Sequence, residues 1–222
     1  EVFKMYHGVY EGTAATAQRK KILILGESHH GDRPEDAGKP GDIPTSKVVQ
    51  DYLDWTGPME DGHRFFHQIA LSFGIDVNKE QERALFWDKV YFGNYVDVLC
   101  GIKDGLAKTL MEQNEDTYNQ TLSQFVNRCQ IDTIFCFGIQ VFDHLPGNHY
   151  AGILLGEDGS VIADKRIGKN GNLEIAGYLC EPSPKTYDHP VRIYGMMHPA
   201  YPGFSPKPFA EYLKPVFEDC CG

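Results

Sequence analysis

The chain has 222 residues, enough for one sizeable α/β domain over 1–222 and short for two. Hydrophobic residues make up 41% of it and the formal net charge is −10; the first excludes a disordered chain, and the second weighs against tight binding to duplex nucleic acid, where phosphates need clustered Lys and Arg. No apolar run is long enough to cross a bilayer and no charged-then-apolar leader opens the chain, so a monomeric cytoplasmic protein without a membrane partner is expected.

Residues 1–20 are mixed in character and predict an N-terminal helix or arm. Residues 21–26 are apolar apart from Lys21, as suits a central parallel strand covered on both faces. From His30 to Pro44 the chain is rich in Gly, Pro and Asp and reads as a long loop. Thr45 is placed to cap a helix over 46–55, stopped by Gly57-Pro58. The stretch 62–74 has helical spacing, with Phe65, Phe66, Ile69, Ala70 and Phe73 on one side, and 78–88 is another short helix. Residues 89–96 predict a second strand broken by Gly93.

A long helix is expected over 104–130, a third buried strand over 132–138 and a helix over 139–145. The segment 147–185 changes character, with glycines, charges and short β-like runs, and reads as a strand-rich excursion from the main sheet. A fourth core strand at 191–197 ends at His198-Pro199, and 207–219 is the closing helix. The alternation predicts a three-layer α/β/α fold with a central, mostly four-stranded parallel sheet and a small insertion near 147–185. The six cysteines (Cys100, Cys129, Cys136, Cys180, Cys220 and Cys221) are irregularly spaced and include no Cys-x-x-Cys pair. They read as reduced and mostly buried, with Cys220 and Cys221 in a frayed terminus and no metal or other cofactor expected.

Three strands are expected to end in polar or glycine-rich turns: Gly26-Glu27-Ser28, Gly93-Asn94 and His198-Pro199-Ala200. In open parallel sheets, ligands bind beyond the carboxyl ends of the strands. Glu27 could orient or deprotonate a water there. Asn94 can donate and accept with one amide, the pattern that reads an imide or a base edge. His198 could donate to a developing negative charge. Tyr95, Tyr201 and Phe204 are among the aromatics that could stack on a planar ring. Structural roles are the alternatives: a helix cap for Glu27, solvated loop positions for His29 and His30, a satisfied turn for Asn94, and a structural hydrogen bond for His198.

These motifs resemble the uracil-DNA glycosylase superfamily over roughly residues 20–218, in the same order. "ILILGESHHGD" is similar to the first motif in the version that carries Glu after Gly, "VYFGNYV" offers the base-reading Asn, and "MMHPAYPGFS" resembles the His-Pro-Ser motif and its apolar wedge loop. The resemblance implies hydrolysis of the N-glycosidic bond of a flipped or single-stranded base in DNA. Glu27 or Ser28 would then position the water and His198 would stabilise the leaving base. Gly26, His29, His30, Asn94, Tyr95, Pro199, Tyr201 and Phe204 would surround the substrate. The departures are His29 where the first motif has its proline, Ala200 where the second has Ser, and no Phe, Tyr or Trp in 29–44 to stack on the base. "LGESHHGD" is also similar to the Gly-Glu-x-His signature of the erythromycin-esterase and haem-uptake family. That likeness implies a hydrolase or metal-binding protein in which Glu27 and His29 are catalytic or metal-binding; a related possibility is a zinc or iron site of His29, His30 and His198, with His144, His149 or His189 as a further ligand. The third alternative is a non-catalytic shell that binds a nucleotide or a protein.

Overall fold

In the computed structural model, which describes residues 8–29, 34–56, 61–100, 105–147, 154–155, 161–163 and 175–222, the apolar run at 21–26 is the first part of a longer strand. Among the described residues, eight strands and six α-helices follow one another. They are β1 (Tyr10–Glu11), β2 (Lys21–His29), α1 (Thr45–Leu53), α2 (Asp61–Ser72), α3 (Glu80–Asp88), β3 (Tyr91–Leu99), α4 (Leu106–Cys129) and β4 (Ile131–Phe137), then α5 (Ile139–His144), β5 (Leu154–Leu155), β6 (Val161–Ala163), β7 (Ile175–Cys180), β8 (Val191–Met196) and α6 (Pro206–Cys221).

The fold is α/β, built on a six-stranded mixed sheet in the order β1-β3-β2-β4-β8-β7. The four strands read in the sequence pair in parallel as neighbours. The sheet is larger than expected because β1 adds antiparallel to β3 and β7 adds antiparallel to β8. Ile175–Cys180, inside the expected excursion, is therefore an edge of the main sheet, and among the described residues β5 and β6 form a separate two-stranded pair. Of the expected N-terminal helix or arm, the described residues 8–20 form β1 and a 3-10 turn at Ala15–Ala17.

Side-chain alternation along β2 explains its uninterrupted apolar run, since successive residues enter two different cores. Ile22 and Ile24 pack with Val49, Tyr52, Phe66, Phe86 and Phe217 from α1, α2, α3 and α6. Leu23 and Leu25 pack with Met111, Leu122, Val126 and Phe142 from α4 and α5. Phe66, Ile69 and Ala70 follow helical spacing on α2 and are all buried. Phe73, just past the end of α2, places its ring 4.9 Å from Phe135 of β4, 5.1 Å from Phe86 of α3 and 5.5 Å from Phe217 of α6. No helix among the described residues is long and apolar enough to cross a membrane.

Two strand boundaries differ from expectation. Strand β2 continues through Glu27 to His29, because Ser28 pairs opposite Val96 and, across a register shift, His29 opposite Leu99 of β3. Gly93 does not break β3; it lies opposite Leu25 in regular register. Thr45 is the first residue of α1 and not its cap: Pro44 holds the cap position, and the Thr45 hydroxyl shares a 3.1 Å hydrogen bond with His29 Nε2. Phe73→Ala removes the ring that joins α2, α3, β4 and α6. It is expected to lower unfolding stability by about 3–5 kcal/mol in urea titration, with an unchanged m-value.

Candidate functional site

Register across the sheet brings the expected segments side by side. Gly93 lies opposite Leu25, Leu25 opposite Cys136, and Cys136 opposite Gly195. One step toward the carboxyl ends, Asn94 lies opposite Gly26 and Met196 opposite Phe137. The strands carrying Gly26, Gly93 and Met196 thus run in the same direction in one sheet, with β2 and β3 adjacent and β4 between β2 and β8.

Asn94 is 6% exposed and reaches across its neighbour strand. A Cβ built at position 26 would overlap Asn94 Oδ1 and sit 3.4 Å from Cζ of Phe65. Glycine at 26 is therefore what lets the amide lie over β2. The Phe65 ring, on α2, lies 6.1 Å from Phe92 and 5.2 Å from the His198 imidazole, tilted to it by 33°. An amide, an aromatic ring and an imidazole thus meet on the α2 side of the sheet at its carboxyl end.

His198 follows β8 directly and is held by two local contacts. Its Nδ1 accepts a 3.2 Å hydrogen bond from the Ala200 amide, and its carbonyl accepts one from the Tyr201 amide at 2.9 Å. That turn and the next, Phe204 amide to Tyr201 carbonyl at 3.0 Å, raise Tyr201 into solvent at 47% exposure. Phe204 instead stacks on Phe209 of α6 at 5.3 Å and 14°. Pro199 is buried.

Glu27 points the other way. By alternation along β2 it faces the α4 and α5 side, and its Oε2 is 3.6 Å from where a Cβ on Gly138 would stand. Gly138 has φ 154°, which favours glycine, and it closes β4 before α5. Burial raises the Glu27 carboxyl above the usual carboxylate range, and its charge in turn helps to raise the Cys136 and Cys100 thiols, which burial raises first. Ser28 is half-buried and hydrogen-bonds the Cys100 thiol. The structure thus brings Gly26, Asn94 and His198 to one side, while Glu27 takes the other face of the same strand.

Tyr95 is also turned away from Asn94. It is fully buried against Tyr118, and its hydroxyl donates to Asn119 Oδ1 at 2.9 Å. It belongs to the α4 core and not to a ring-stacking surface. His29 is buried on Thr45 and is not a solvated loop residue, and His30 lies outside the described residues.

No protein-family model and no curated protein matches the chain. The functional reading therefore rests on residues and geometry alone. Sequence reasoning did not single out Phe65 as a site residue, although it places it on the apolar face of a helix and its ring meets His198. The available signal was its offset: Phe66, Ile69 and Ala70 make the core stripe, and Phe65 stands one position outside it, half-buried. Among the described residues, no group of three or more His, Cys, Asp and Glu side chains is placed to hold a metal ion. His144 pairs with Glu115 at 2.6 Å, and His189 pairs with Asp188 at 2.5 Å; His149 lies outside the described residues.

Two outcomes follow from this geometry. Gly26→Ala forces the Asn94 amide off β2, and thermal unfolding is expected to show a loss of about 1–3 kcal/mol, relieved when Asn94→Ala is added. Glu27 binds its proton more tightly folded than unfolded. Its contribution therefore lowers stability as pH rises from the ordinary carboxylate pKa through the raised one. Chemical denaturation across that window is expected to show Glu27→Gln without this slope and more stable than the parent at neutral pH.

Proposed function

We propose that the chain is a divergent uracil-DNA glycosylase-like hydrolase that acts on a flipped or single-stranded nucleobase at the carboxyl ends of β2, β3 and β8. The observation that carries this reading is the Asn94 amide lying over Gly26 beside a Phe65 ring that also packs on His198. These are the three groups a flat, hydrogen-bonding leaving group needs: an amide for its edge, an aromatic face to stack on, and a donor for the charge it acquires. In the reaction, a water oxygen bonds to the sugar carbon as the carbon–nitrogen bond breaks. The electron pair leaves with the base, whose negative charge His198 stabilises by hydrogen bonding. Ser28, two residues beyond Gly26 on β2, would orient the water, whose proton passes to solvent, because Glu27 lies on the opposite face of the strand. Tyr201, raised on its turn, would enter the strand from which the base is drawn.

The net charge of −10 favours a single-stranded over a duplex partner, because fewer phosphates need neutralising. The same reading takes the chain as a monomeric, single-domain, three-layer α/β/α protein of the cytoplasm. A second reading, a nucleobase-binding module without hydrolysis, is favoured by one observation: Glu27 faces the α5 side of β2 while Asn94 and Phe65 lie on the α2 side.

Incubation with uracil, hypoxanthine and thymine-mismatch oligonucleotides separates the two. Abasic sites from the parent chain, lost in Asn94→Asp and His198→Ala, are the expected result. Phe65→Ala is expected to weaken oligonucleotide binding by about 5- to 100-fold, the range of one base-stacking contact. Binding without abasic sites supports the module instead. Absence of both binding and cleavage ends both readings.

A further inference from the structure

Away from the strand ends, α1, α2 and α3 border a cavity of about 370 Å³ whose walls include Tyr52, Trp55, His63, His67, Glu80 and Arg83. That volume lies in the range of small-molecule sites, about 300–1,000 Å³. His63 and His67 are one helical turn apart on α2, so their rings share a face. Each ring has its Nδ1 buried without a hydrogen-bond partner. A hydrogen on that nitrogen would be an orphaned buried donor, at a cost of about 1–3 kcal/mol. The neutral tautomer with its hydrogen on Nε2 avoids the cost, so each ring carries its donor on Nε2. Burial first, and the Arg83 charge second, hold His67 toward that neutral form.

Arg83 supplies a fixed positive charge on the same wall. Its Nη2 donates to the carbonyls of Leu53 and Trp55 at 3.3 and 3.1 Å, and the guanidinium carbon lies 5.4 Å from the centre of the Tyr52 ring. These contacts orient the guanidinium, while its buried Nε has no partner. Trp55 and His63 place their ring centres 4.9 Å apart at 60°, an aromatic corner at the cavity's edge. Glu80 adds one acceptor.

We propose that this cavity binds a small organic phosphate, with His63, His67 and Arg83 donating to the phosphate oxygens and the Trp55–His63 corner receiving a flat organic group. Donors drawn from two helices suit three terminal oxygens better than the two of a carboxylate. The site is separate from the strand-end groups, although α2 serves both: Phe65 reaches His198, and His63 and His67 line the cavity.

The test is titration of the full chain with inorganic phosphate, phenyl phosphate and benzoate, followed by calorimetry and by the ring-proton resonances of His63 and His67. Phenyl phosphate is expected to shift both histidines and to bind about tenfold more tightly than either inorganic phosphate or benzoate. The double variant His63→Gln, His67→Gln, with its melting temperature checked, is expected to lose at least about tenfold of that affinity. The proposal is overturned if neither phosphate moves the two resonances, if benzoate binds as tightly as phenyl phosphate, or if the folded double variant binds phenyl phosphate like the parent.

Discussion

The hydrogen-bonded pairing of β2 with β3 on one side and β4 on the other is the constraint on which the rest depends. It sets Gly26 opposite Asn94 and Leu25 opposite both Gly93 and Cys136. A slip of one residue would put Ile22 and Ile24 into the α4 core and a side chain under the Asn94 amide. Both cores oppose that slip, because each is filled by alternate residues of the same strand. The register that buries the apolar run therefore also places the bare backbone of Gly26 where an amide can cross it.

Helix α2 carries three separate tasks on three sides. Phe66, Ile69 and Ala70 anchor it in the core, Phe65 meets His198 and Phe92, and His63 and His67 face the cavity beside α1 and α3. A helix that buries only one stripe can do this because its remaining faces are free to meet loops and ligands. The tight ring packing of Phe73 with Phe86, Phe135 and Phe217 holds the end of α2 against the sheet, which keeps the other two faces in position.

Residues adjacent in sequence diverge here because the strand continues. Gly26 and Glu27 would both open into one turn if β2 ended at Gly26. Pairing extends instead to His29, and pleat alternation then sends Glu27 toward Gly138 and leaves Asn94 and Phe65 on the opposite side. The raised proton affinity of Glu27 follows from that inward position among Cys100, Cys136 and α5. The same alternation removes Tyr95 from the neighbourhood of Asn94 and ties it to Asn119.

Periodicity and apolar runs were enough to read the alternation of strands and helices, the four parallel strands and the closing helix, because burial on both faces requires uninterrupted apolar sequence. Gly26, Asn94 and His198 were legible as polar or small residues interrupting such runs. Two features were not. The edge strands β1 and β7 are short and gain their pairing only from neighbours already in the sheet. The partnership of Phe65 with His198 joins residues far apart in the chain. A one-dimensional pattern marks which side chains must be buried; which of them meet, and on which face of a strand a carboxylate points, is decided by register and helix docking in three dimensions.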